Sequence, residues 1–279
     1  MGSGDPVPAI AEADATGEIA DLYADIRKTL GVPLVNLIWR NLAVTPGALG
    51  WAWSSVRPLY GTGRLQAEAR ALRDMLVVPD LPSLPVEALR SAGVDETGER
   101  TIQTILESYH RSNPLNLVAL STLLAALRGD PVPDGKPAPS LTPEPPIDGT
   151  LPALLALAEM EEDTAALVVG VNRLGTRGDD HILVSMPRHL AHWPGYLGLY
   201  WALVAPLDAD GQLDASVDAV LDDGKARGGV LAAEAGIADG PPADAAVALE
   251  ATLDDFCRNA ISRMIPVVAL LRKAMPSGR

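Results

Sequence analysis

Few residues in this chain have the type and spacing to do chemistry. His181, His189 and His192 lie close together, and His189 and His192 are about one helical turn apart. A metal centre uses such spacing when further His, Asp or Glu ligands join it, but no HExxH accompanies these histidines. No GxSxG elbow supports a Ser-His-Asp relay either. Capping or surface histidines are the simpler reading. Glu159-Met-Glu161-Glu162-Asp163 reads as a solvated helix face rather than a carboxylate cluster. Cys257 is the only cysteine, so paired-cysteine redox chemistry and multi-thiolate zinc sites are excluded. Arg40, Arg188, Arg111 and Arg258 are more informative. Each offers a planar fork of donors suited to a buried carboxylate, backbone carbonyls or an anionic ligand.

These arginines recur because the chain repeats itself. At a constant offset of 148, Arg40/Arg188, Leu42/Leu190, Ala43/Ala191, Pro46/Pro194, Gly47/Gly195 and Trp53/Trp201 are identical. From 40 to 65, 13 of 26 positions match their partners without a gap. A weaker correspondence at offset 147 aligns Tyr109–Leu124 with Phe256–Leu271 and pairs Arg111 with Arg258. The period is far longer than a solenoid unit of roughly 20–50 residues. It suggests two copies of one subdomain about a pseudo-two-fold axis, sharing a central cleft. The retained Pro-Gly and Trp positions read as turn and core features.

The elements that must position these groups are helical. Ile19, Leu22, Tyr23, Ile26 and Leu30 mark an amphipathic helix over 17–30, with Thr16 as its cap and Gly31-Val32-Pro33 as its stop. Helices are expected over 34–44, 47–60, 65–77, 86–92, 97–110 and 114–128 in the first half. In the second half they are expected over 151–174, 182–191, 195–207, 213–226 and 243–273. The best strand candidate, 167–171, lies inside a helical pattern. Seven prolines between Pro131 and Pro146 predict a structureless or polyproline-like connector. The expected fold is therefore all-α, with subdomains at 1–128 and 150–279 joined by 129–149.

Composition narrows the partners. The 279 residues are 48% hydrophobic and carry a formal net charge of −14. No basic stripe exists to neutralise phosphates, which argues against nucleic acid or an anionic membrane. No apolar run reaches the 18 or more residues of a membrane span, and the N-terminus lacks signal-peptide and myristoylation features. A cytoplasmic protein, monomeric or homodimeric, without metal or cofactor, is the expectation.

With these residues assembled, the chain resembles the group I (DehI-type) 2-haloacid dehalogenases over nearly its whole length. The resemblance rests on Gly17-Glu-Ile…Tyr23-Ala-Asp-Ile-Arg27-Lys-Thr-Leu30-Gly-Val-Pro33, Leu42-Ala…Pro46-Gly47, Asn113-Pro114, Leu190-Ala-His-Trp193-Pro194, the duplication and the proline-rich connector. It implies an all-helical pseudo-dimer with its site between the repeats. It also implies cleavage of the carbon–halogen bond of short 2-haloacids of either configuration. In the family an aspartate activates the attacking water, an asparagine positions it, and no ester intermediate forms.

Carried over, the asparagine falls on Asn113. The aspartate position holds Met186, preceded by Ser185 as in the family. Aromatic pocket positions fall on Leu34 and Leu37, and a tyrosine of the last helix falls on Phe256. A thioether cannot accept a proton at neutral pH, so the family reaction is expected to fail or be very slow. Asp179 and Asp180, just upstream, are the nearest substitutes. The nominal expectation is a dehalogenase-family protein for a small organic acid. The alternatives are a non-catalytic carboxylate binder using Arg40, Arg188, Arg111 or Arg258, or another reaction in the same cleft.

Overall fold

The computed structural model describes residues 7–133, 136–176, 182–235, 237, 240–242 and 245–276, and among them no strand occurs. The fold is all-α. Its first half comprises α1 (Gly17–Leu30), α2 (Leu37–Leu42), α3 (Ala48–Gly61), α4 (Arg64–Met75), α5 (Val86–Ser91) and α6 (Glu96–Arg128). Its second half comprises α7 (Glu162–Asn172), α8 (Ser185–Leu190), α9 (Pro194–Ala209), α10 (Gln212–Ala232), α11 (Ala246–Asp255) and α12 (Ser262–Ala274). A π-helical segment, Phe256–Ile261, joins α11 to α12.

α1 buries Tyr23, Ile26 and Leu30 and ends where Gly31, at φ 65°, donates its N–H to the Arg27 carbonyl. Only glycine adopts that conformation without a Cβ penalty. Thr16 stands at the other end but makes no side-chain capping bond.

The organising element is α6, 33 residues long and capped by Asp95, whose side chain accepts from the Gly98 N–H at 2.6 Å. The sequence suggests two helices broken near Pro114, yet one helix runs through that proline. A mid-helix proline removes one backbone bond and normally costs about 3 kcal/mol. Here every residue from Ser112 to Ala125 is buried, so packing by α4, α10 and α12 outweighs the local preference. α10 approaches most closely. A Cβ on its Gly228 would stand 2.4 Å from the Ser121 Cβ of α6, so a side chain there would force the helices apart.

Other expectations change in detail: the helix expected over 151–174 begins only at Glu162, and the one expected over 213–226 runs on to Ala232. The helix expected over 34–44 is only α2, because residues 32–36 remain extended or bent before it. Trp53 is buried and donates to Asp25 Oδ2 at 2.8 Å, whereas its counterpart Trp201 is 42% exposed and is no core feature. Trp201 lies across the side-chain-free surface of Gly170 on α7 instead.

The described part of 129–149 has no regular secondary structure, but it is tied to the first half. Leu141 N–H donates to the Gly63 carbonyl, Ile147 N–H to Gly31, and Ala138 N–H to buried Glu68. Arg111 donates to the carbonyls of Gly31 and Pro145 and meets Glu144, which also pairs with Arg73. Prolines supply no N–H, so the remaining backbone groups take partners from the helices beneath. Among the described residues, no helix is long and apolar enough to cross a membrane.

Candidate functional site

α2, α6, α8 and the π segment converge on one small cavity of about 40 Å³. The first half contributes Asn36, Leu37 and Ile38 at the start of α2, and Tyr109, Asn113 and Asn116 from α6. The second half contributes Val184, Ser185 and Met186 at the start of α8, Phe256, Ala260 and Ile261 from the π segment, and Met264.

Local sequence explains how each wall is held. Asn113 and Asn116 are three residues apart, so both side chains project from one face of α6. Asn172 fixes the strand-like approach to α8: its Nδ2 donates to the Ile182 carbonyl, and its Oδ1 accepts from the Val184 N–H at 3.0 Å. Buried Arg263 donates to the Asn172 and Ile182 carbonyls and locks that segment to α12. The wider π turn presents Phe256, Ala260 and Ile261 together; such turns often occur at functional sites.

The polar groups are incompletely paired. Trp39 Nε1 donates to Asn116 Oδ1 at 3.0 Å, and Asn36 Nδ2 donates to Ser112 Oγ at 2.9 Å. Asn36 Oδ1, Asn113 Nδ2 and Asn116 Nδ2 are buried without a hydrogen-bond partner. Unpaired buried polar atoms are uncommon, and three around one cavity call for a ligand or water to satisfy them. Ser185 Oγ accepts from Arg40 Nη2 at 2.9 Å, while Arg40 Nε donates to the Val35 carbonyl. Tyr109 Oη and His189 Nδ1 are 3.0 Å apart and share a proton according to the imidazole tautomer.

Two buried guanidiniums, Arg40 and Arg188, stand close to the site. Burial, followed by the charges of Arg40 and Arg188, lowers His189 to a pKa of about 3, so it is neutral at pH 7. Burial raises the Tyr109 phenol well above its ordinary value, with Arg40 pulling the other way. Both residues stay uncharged; the buried guanidiniums of Arg40 and Arg188 act on them, and the Glu12 carboxylate acts on Tyr109 in the opposite sense. Among the described residues, no Asp or Glu lines the cavity. The site can donate hydrogen bonds to an acid, but those residues supply no carboxylate to activate water.

Of the residues singled out in the sequence, Leu37, Asn113, Ser185, Met186 and Phe256 meet at this cavity. Leu34 is buried in the core outside the lining. Arg40 stands one hydrogen bond behind Ser185 rather than in the wall, and Arg188 donates to the Leu155 carbonyl at 2.7 Å. Arg111 binds the connector and Arg258 pairs with Asp254, so neither reaches the cavity. Asp179, Asp180 and His181 lie outside the described residues. His189 is no surface group: it is buried against Tyr109, because α8 is packed between α6, α7 and α9. His192 meets the Ala153 carbonyl at 2.8 Å. Cys257 is buried, and its thiol is pushed up to about 12. No group of three His, Cys, Asp or Glu among the described residues is placed to hold a metal ion.

Sequence reasoning missed Asn36, Tyr109 and Asn116 as site residues. Asn116 carried a usable signal, its three-residue spacing from Asn113. Tyr109 carried one too, as the repeat counterpart of Phe256 at offset 147, whereas Asn36 carried none, because its neighbours come from distant chain segments.

No family model matches the chain. It is 28% identical over 213 residues to a configuration-inverting 2-haloacid dehalogenase of Alcaligenes xylosoxydans xylosoxydans, covering 75% of this chain and 72% of that one. It is 26% identical over 204 residues to an (R)-2-haloacid dehalogenase of Rhizobium sp. (strain NHG3), covering 71% and 77%. In structure it resembles a D-2-haloacid dehalogenase solved in complex with L-LA, with a TM-score of 0.76 at 17% identity over 96% of each chain. That likeness establishes the fold. The chain is thus similar in sequence to 2-haloacid dehalogenases and shares the fold of D-2-haloacid dehalogenase, in line with its resemblance to the group I (DehI-type) family.

Proposed function

We propose that the cavity binds a short 2-substituted carboxylic acid, and that hydrolysis of a carbon–halogen bond is lost or very slow in this chain. The observation that carries the reading is Met186. It is 1% exposed in the cavity wall, at the position where the resemblance expects the water-activating aspartate, and the described lining offers no other carboxylate. In the family reaction a carboxylate takes a proton from water as the water oxygen attacks C2 and halide leaves. A thioether cannot take that proton. What the wall retains is donors: Asn113, Asn116, Ser185 and the buried charges of Arg40 and Arg188 behind them.

The same reading includes a pseudo-two-fold arrangement of halves 1–128 and 150–279, joined by 129–149. Its support is that α2 and α8 begin and end 148 positions apart (185 − 37 and 190 − 42). The lining also pairs residues by the repeat: Asn36/Val184, Leu37/Ser185 and Ile38/Met186 at offset 148, Tyr109/Phe256 and Asn113/Ala260 at offset 147.

Thermal unfolding with 2-chloropropionate, together with halide analysis, tests the proposal. A ligand that binds only the native state raises Tm with concentration. The expected result is a rise in Tm without halide release. An unchanged Tm up to tens of millimolar acid contradicts binding, and stoichiometric halide contradicts the lost hydrolysis.

A further inference from the structure

We infer that Asn116 is a ligand-binding residue whose Nδ2, aimed by Trp39, donates to a carboxylate oxygen of the bound acid beside Asn113. The inference rests on the small-acid reading above and adds a residue that neither the resemblance nor the sequence assigned. Its strength is that the amide orientation is not a free choice. An indole Nε1–H can only donate, so the atom 3.0 Å from it must be the Asn116 oxygen. The Nδ2 therefore points away from Trp39, and it has no hydrogen-bond partner.

Asn116 is 0% exposed and lines the cavity, so no bulk water reaches its amide. Leaving an NH₂ donor dry is unfavourable, and a wall evolved only for packing would place an apolar residue there. Trp39 is itself fully buried, which holds the amide in one direction. One turn earlier on α6, Asn113 Nδ2 is also unpartnered. Two neighbouring donors suit the two oxygens of a carboxylate, and no described acidic side chain in the lining competes for them. A halide ion is the other acceptor small enough to sit there, and the test separates the two.

The test uses the full chain and calorimetric titration with sodium lactate, lactamide and sodium bromide. Asn116→Asp keeps an oxygen for Trp39 but turns the donor into an acceptor. Lactate affinity is expected to fall about tenfold or more at pH 8, the worth of one hydrogen bond to a charged group. Lactamide, which lacks the charge, is expected to lose less. If Asn116→Asp fails to fold, Trp39→Phe removes the aiming bond while keeping an aromatic ring, at some cost in packing, and is expected to weaken lactate severalfold. Lactate binding unchanged in the folded variants overturns the role of Asn116 alone. Bromide binding that depends on Asn116 while lactate binding does not assigns the donor to halide and overturns the inference. A wild-type protein that binds no short acid overturns the small-acid reading and this inference with it.

Discussion

The two walls of the cavity are built from corresponding positions and differ in chemistry. The first half presents Asn36, Tyr109, Asn113 and Asn116 beside apolar Leu37 and Ile38; the second presents Val184, Met186, Phe256, Ala260, Ile261 and Met264, with Ser185 its one polar group. At offset 147, Asn113 faces its counterpart Ala260, and Asn116 corresponds to Arg263, which is turned into the Asn172 latch instead. Both walls are buried to similar extent, so hydration does not separate them. The difference lies in unpaired donors, which sit on α6, against apolar surface on α8 and the π segment. Under the small-acid reading proposed above, the carboxylate would lie toward α6 and the C2 substituent toward the second half.

The comparison can be broken from either side. The largest loss is expected from Trp39→Ala, which removes a fully buried indole and releases Asn116; chemical unfolding should report about 3–5 kcal/mol of destabilisation. Ile261→Asn, which places an unpartnered amide in the apolar wall, is expected to cost about 2–3 kcal/mol by the same measurement. Asn36→Leu, the reverse change in the polar wall, is expected to stay within about 1 kcal/mol. It gives up the bond to Ser112 but also removes an unpaired oxygen. Equal costs for these two would erase the distinction between the walls.

Acid sharpens the comparison further. His189 is held at about 3 when folded and titrates near 6.5 when unfolded. The unfolded chain therefore binds more protons between those values, and stability, full above 6.5, falls as pH drops. The slope from one such histidine is about 1.4 kcal/mol per pH unit. His110, lowered to about 3 by burial and then by Arg272, Arg73 and Arg111, adds a second. Between pH 6 and 5, above most carboxylate titrations, His189→Gln is expected to remove about half of the histidine slope in denaturant titrations. An unchanged slope would place His189 in contact with solvent.

Much of this fold can be read in the chain. Helical periodicity, Gly31 and the 148-residue offset mark α1, α2 and α8 before any coordinates. The continuity of α6 through Pro114 cannot be read, because the local penalty is offset by three helices from elsewhere in the chain. The π turn at Phe256–Ile261 is hidden likewise, since its register depends on packing rather than composition. At the site, the repeat and the resemblance point to Leu37, Asn113, Ser185, Met186 and Phe256. The capping or surface reading of His189, made from the lack of a metal motif, misses its burial, because its partner Tyr109 lies 80 positions away in sequence. Asn116 becomes informative only when Trp39 is seen to fix which of its atoms faces the cavity.

The most direct test of the account is halide release from D- and L-2-chloropropionate by the native chain and by Met186→Asp. Restoring a carboxylate at the wall, with the amides of α6 intact, is expected to give halide release that the native chain lacks. Rapid halide release by the native chain would contradict the account and direct attention to Asp179 and Asp180 as the base.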